Sequence, residues 1–88
     1  MPEKTGRYHV SSAVVSARQE VVAEVMTAIA ALPNTEIAAH EAGRIVVVME
    51  GRSTGELGDR LTAIALLDGV IAANMVFEHA EEVEAAIP

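Results

Sequence analysis

Three histidines are the residues of this chain that first invite chemistry, and their spacing argues against it. His9, His40 and His79 fall on or beside three different expected strands. None has the H-x-x-x-H spacing that sets two imidazoles on one helix face, so no metal site is read from them. Ser11, Ser12, Ser16 and Ser53 lack the G-x-S-x-G context of an activated nucleophile, and Ser16 and Ser53 read as helix caps instead. Gly51, Gly55 and Gly58 superficially resemble a phosphate loop, but no Lys-Ser/Thr pair follows, and the segment reads as a strand exit into a helix. Glu20 and Glu24 stand one turn apart on the expected outer face of the first helix, where solvated charge is the ordinary state of a carboxylate. Glu78, Glu81, Glu82 and Glu84 are four acidic groups at the end of the last expected strand in a chain of net charge −7. They read either as a solubilising tail or as an attractor for a cationic ligand. No catalytic residue, metal ligand or cofactor is assigned.

The elements that would position a site follow from periodicity and punctuation. Tyr8 to Ser16 (YHVSSAVVS) is rich in β-branched and small residues and is expected as a strand. Ser16 and Gln19 match an S-x-x-Q capping box, and Val22, Val25, Met26, Ile29 and Leu32 recur at helical steps. They predict a helix from about Ala17 to Leu32, stopped by Pro33. Thr35 to His40, a turn at Glu41-Ala42-Gly43, and Arg44 to Glu50 read as a hairpin. Ser53 and Glu56 form a second capping box ahead of Leu57, Leu61, Ile64 and Leu67, and Asp68-Gly69 ends that helix. Val70 to Glu78 is the last expected strand.

This order predicts an α+β, ferredoxin-like βαββαβ sandwich: a four-stranded antiparallel sheet, first and third strands central, with both helices on one face. Residues 1–7 are expected as a loose leader, 8–79 as the single domain and 80–88 as an acidic tail. With 88 residues there is no room for separate catalytic and substrate modules. Six Lys/Arg against 13 Asp/Glu repel nucleic-acid phosphate, and two aromatics, Tyr8 and Phe77, leave almost nothing for base stacking. Zero cysteines exclude disulfides, thiolate metal sites and thiol nucleophiles, and fit a cytoplasmic setting. No apolar run exceeds five residues, so neither a membrane span nor a secretory leader is read, and the chain is not expected to be exported itself.

The expected fold leaves one sheet face uncovered, and alternation assigns residues to it. On the third strand Val46, Val48 and Glu50 include the charge and are placed on the open face, opposite to Ile45, Val47 and Met49. On the last strand Ile71, Ala73, Met75 and Phe77 are the bulky set, placed toward the helices, and Ala72, Asn74, Val76 and Glu78 are placed outward. The two sets of the first strand score alike; Val10, Ser12 and Val14 are taken as outward. The open face then carries Val10, Val14, Val46, Val48 and Val76 around Ser12 and Asn74, with Glu50 and Glu78 at the rim. Such a patch binds a partner or stacks against a second copy of the chain as a homodimer, and pattern alone does not separate the two.

Four segments, HVSSAVV (His9 to Val15), LPNTEI (Leu32 to Ile37), GRIVVVMEG (Gly43 to Gly51) and DGVIAANMVFEH (Asp68 to His79), occur in an order and at separations that resemble one family. They look like the NapD-type cytoplasmic chaperones of the periplasmic nitrate reductase, from about Tyr8 to Glu82. Ala13, where that family commonly has a larger apolar residue, and a tail shorter than in some members are the departures. The resemblance implies a non-enzymatic protein that binds the twin-arginine signal peptide of the nitrate reductase catalytic subunit, assists its molybdenum-cofactor maturation and delays its export. The residues are compatible with that: a basic pair followed by an apolar stretch fits a valine-lined face with acidic rim groups. On this reading Val10, Ser12, Val14, Val46, Val48, Glu50, Asn74, Val76 and Glu78 are the candidate peptide-binding residues.

A competing class is a small-ligand regulatory or dimerisation module of the same fold, whose usual Gly-rich loop after the first strand is missing, since Ser16-Ala17-Arg18-Gln19 enters the helix directly. A heavy-metal carrier lacks its cysteines. An acylphosphatase-like enzyme would need a glycine-lined phosphate cradle around Arg18, and those glycines are absent.

Overall fold

The computed structural model describes residues 6–83. In chain order these form β1 (Gly6–Ala17), a 3-10 turn (Gln19–Val21) leading into α1 (Val22–Ala30), β2 (Thr35–Glu41), β3 (Arg44–Gly51), α2 (Thr54–Ala65) and β4 (Val70–Val83). The strands lie in the order β2-β3-β1-β4, every neighbouring pair antiparallel. This is the expected ferredoxin-like arrangement, with β1 and β3 central.

The core lies between the sheet and the two helices. Ala13, Val15 and Ala17 of β1 and Ile45, Val47 and Met49 of β3 meet Val25 and Ile29 of α1 and Leu57 and Ile64 of α2, all buried. Each of the larger of these side chains contributes about 1.5–3 kcal/mol by leaving water. Ala13 is fully buried and stands opposite Val47 on one side and Met75 on the other.

Three boundaries differ from the sequence expectation, the first being that β1 begins at Gly6, inside the expected leader. The first helix does not begin at Ala17, and Ser16 caps nothing. Ser16 and Ala17 remain in β1, where Ser16 pairs with Arg44 and Ala72 and the Ala17 amide donates to the Gly43 carbonyl at 2.8 Å. Ladder pairing on both sides outweighs a local capping signal, so the helical turns begin only after Arg18, with no side-chain cap. The expected tail is also partly strand: β4 continues to Val83 and pairs Val83 with Gly6, beyond the end of β3 at Gly51. The remainder of the expected leader and tail lies outside the described residues.

At the second expected capping box the Ser53 half forms as read, while the Glu56 carboxylate reaches one residue further back than the N-cap amide. Ser53 Oγ accepts from the Glu56 amide at 3.0 Å, and Glu56 Oε1 accepts from the Arg52 amide at 2.9 Å. Three turns use left-handed backbone, the first at Asn34 (φ 53°) between α1 and β2. Ala42 (φ 52°) and Gly43 (φ 83°) form the two-residue β2–β3 connection, the twist that suits a tight hairpin. Gly69 (φ 94°) ends the α2 segment, and a Cβ there would lie 2.5 Å from Val21 Cγ2.

Candidate functional site

Both helices sit on one face of the sheet, and no described element covers the other. The burial alternation of β1 fixes which side is which: His9, Ser11, Ala13, Val15 and Ala17 are buried toward the helices, so Val10, Ser12, Val14 and Ser16 face the open side. Residues directly opposite in antiparallel strands share a face, and the register therefore lays out the open surface in rows. One row runs Glu50, Val10, His79; the next Glu36, Val48, Ser12, Phe77; then Ala39, Val46, Val14, Asn74; then Glu41, Arg44, Ser16, Ala72. The centre is apolar, made of Val10, Val14, Val46 and Val48. Glu36 and Glu41 on β2 and Glu50 at the end of β3 make this part of the face acidic, with Arg44 opposite Glu41.

The structure thus brings Val10, Ser12, Val14, Val46, Val48, Glu50 and Asn74 onto one surface. Strand β4 requires a correction. Its register against β1 shifts between Ser12 and Ala13, so that Ala13 pairs with Met75 but Ser12 pairs with Phe77. Val76 is the extra residue of a β-bulge, sharing Ser12 with Phe77, and is 60% exposed. Beyond it the alternation changes phase. Phe77 and His79 face the open side, not the helices, and Glu78, opposite the buried Ser11, lies on the helix side. Glu78 therefore leaves the proposed rim. A second shift, between Ser16 and Ala17, frees Ile71 in the same way and leaves it 67% exposed where a core position was expected.

Phe77 is 56% exposed, and its ring lies nearly parallel to that of His79, with centroids 6.4 Å apart and planes inclined by 13°. That spacing is close to the ~6.8 Å repeat of same-face side chains along a strand. Sequence reading missed this pair because a bulge leaves no mark on a period-two pattern. It missed Glu36 as well, since β2 is weakly apolar; Glu36 lines a shallow depression with Asn34, Thr35, Val48 and Glu50.

From the helix side, Arg60 holds the backbone that presents Glu50. Its guanidinium is nearly buried and donates to the Glu50 carbonyl at 2.6 Å and to Glu56 Oε2 at 3.0 Å. The Arg52 amide, then the charge and hydrogen bond of Arg60, hold the Glu56 carboxyl below the ordinary carboxylate range. The signal for this pair was present in the i, i+4 spacing of Glu56 and Arg60. His9, His40 and His79 are not brought together: His9 is buried on the helix side, His79 is on the open side, and His40 is on the far edge strand. Among the described residues no group of three or more His, Cys, Asp or Glu could hold a metal ion, and no helix is long and apolar enough to cross a membrane.

The sequence of this chain matches a known group of proteins along most of its length. The NapD protein family model matches residues 8–82. The chain belongs to the NapD family. It is 44% identical over 71 residues to Chaperone NapD of Paracoccus pantotrophus, spanning 81% of this chain but only 63% of that relative's length. Chaperone NapD of Escherichia coli strain K12 is 30% identical over 77 residues, spanning 85% of this chain and 88% of that relative. The solution structure of the E. coli Tat proofreading chaperone protein NapD superposes with a TM-score of 0.76 at 28% identity, covering 92% of this chain and 87% of the other. NapD membership accounts for the fold.

Proposed function

We propose that this chain is a cytoplasmic, non-enzymatic chaperone that binds the twin-arginine signal peptide of the periplasmic nitrate reductase catalytic subunit. In doing so it assists that subunit's maturation and delays its export. The observation that carries this reading is the uncovered face itself: Val10, Val14, Val46 and Val48 form its centre and Glu36, Glu41 and Glu50 lie along one side. The names of the relatives, Chaperone NapD and Tat proofreading chaperone, support it.

The dimensions suit a helix. Four strands ~4.8 Å apart make the face ~14 Å wide, and a helix with side chains is ~10 Å in diameter. A leader with a basic pair followed by an apolar stretch would lay the apolar side on the valines while its cations meet the carboxylates of β2 and β3. The net charge of −7 draws a basic peptide in and opposes the approach of a second, equally acidic copy.

The test is calorimetric titration of the protein with a twin-arginine leader of the nitrate reductase, a twin-lysine version and a general secretory leader. Saturable one-to-one binding of the twin-arginine leader, weakening as salt rises, is the expected result. No binding of any leader at low or physiological salt overturns the proposal. In that case sedimentation at several protein concentrations tests whether the face pairs two copies instead.

A further inference from the structure

The valine centre explains why an apolar segment would settle on the open face, and the acidic side explains why a cation would. Neither distinguishes arginine from lysine. We propose that Phe77 and His79, turned onto the open face by the bulge at Val76, form the element that reads a planar guanidinium and so prefers an arginine-bearing leader over its lysine counterpart. This rests on the function proposed above and adds a specificity-determining pair to it.

Three observations point to these residues. Phe77 is one of only two Phe, Tyr or Trp residues in the chain, yet 56% of it is exposed on an edge strand instead of filling the core. Its neighbour two residues on presents a second flat ring in nearly the same plane orientation, 13° apart. Both reach the open face only because one residue is inserted into β4, and bulges commonly re-aim side chains beside binding sites. Undisturbed alternation would have turned both rings toward the helices.

The chemistry follows from the shape of the two cations. A guanidinium is planar and weakly hydrated, so it lies flat on an aromatic face and extends a stack of parallel rings. An ammonium is compact and strongly hydrated and has no plane to match. The position also suits a cation at the head of an apolar segment. His79 shares its row with Val10 and Glu50, and Phe77 shares its row with Ser12 and Val48. An arginine on the rings thus stands beside the valine centre, with the Glu50 backbone two strand spacings away, ~10 Å.

Titration of the full chain and its Phe77→Leu and Phe77→Tyr variants with twin-arginine and twin-lysine leaders tests this, with thermal unfolding as the folding control. The wild-type chain is expected to prefer the twin-arginine leader. Phe77→Leu, which keeps an apolar side chain, is expected to shrink that preference about three- to tenfold by weakening the twin-arginine leader alone. Phe77→Tyr is expected to retain it. If Phe77→Leu weakens both leaders equally, Phe77 is only one more apolar contact and the inference fails while the chaperone reading stands. Equal binding of the two leaders by the wild-type chain overturns the inference in the same way. Failure of the wild-type chain to bind either leader overturns the chaperone reading itself.

Discussion

Val46 and Val47 are chain neighbours on opposite faces of β3, and replacing each by threonine separates the role of the face from that of the core. Threonine has the shape and strand preference of valine and differs by a hydroxyl in place of a methyl group, so the change introduces one polar atom and little else. Val47 is fully buried, opposite Ala13 and Ile37 on the helix side. A hydroxyl there loses water without a partner and costs about 1–3 kcal/mol, which lowers the melting temperature by about 4–8 °C per kcal/mol in a domain of this size. Val46 is half-buried on the open side between Val14 and Ala39, neither of which offers a hydrogen bond from its side chain. In the free protein water reaches that hydroxyl, so Val46→Thr should change stability by less than about 0.5 kcal/mol. Under a bound leader the same group is dehydrated, and affinity should fall about tenfold, the equivalent of ~1.4 kcal/mol. Thermal unfolding and calorimetric titration of both variants measure the two quantities. A Val46→Thr protein that binds the leader as tightly as the wild type refutes the assignment of the open face as the binding surface. A Val47→Thr protein of unchanged stability refutes the assignment of the core side.

Three further outcomes are expected. Ser11 Oγ is buried with no hydrogen-bond partner among the described residues, so Ser11→Ala should leave stability unchanged or raise it by up to about 1 kcal/mol in denaturant unfolding. Gly69→Ala combines a left-handed backbone with a Cβ 2.5 Å from Val21 Cγ2 and should destabilise by more than about 1 kcal/mol, read as a fall in the urea midpoint. The Glu56 carboxyl titrates below its ordinary value of 4.5, so its contribution to stability is fully present above that pH and is lost as pH falls through its lowered value. Stability measured from pH 6 down to ~2 should fall less steeply in Glu56→Gln than in the wild type.

The fold was legible because its helices and central strands are written in two clean periods. The strand RIVVVME alternates without interruption, and its buried set, Ile45, Val47 and Met49, is the set read from the sequence. Ser53 and Glu56 mark a helix start because they lie in a connection with no competing ladder. Ser16 and Gln19 carry a similar signal and make no helix start, because Ser16 is held between two strands that the sequence does not bring near it. The outer strand was legible only up to its bulges. In VIAANMVFEH the insertion of Ile71 and of Val76 each reverses the phase, and the cause is the pairing of β4 against β1, not any residue type in β4. Hence Asn74 was placed correctly, while Phe77 and Glu78, three and four residues on, were exchanged between faces.

That exchange alters the electrostatic design of the site. With Glu78 at the rim, carboxylates would flank the valine centre from both edges, and a cation would be drawn equally to either side. With Glu78 on the helix side and Phe77 and His79 in its place, Glu36 and Glu41 on β2 and Glu50 at the end of β3 stand across the valines from the aromatic rings on β4. Charge attracts any cation over a Debye length of ~8 Å at physiological ionic strength, whereas a stacked ring acts only in contact and only on a group of matching shape. On the proposed function, the carboxylates of such a face gather basic leaders and the rings discriminate among them. Salt should therefore weaken binding of the twin-arginine and twin-lysine leaders in parallel, while the ratio of their affinities stays nearly constant.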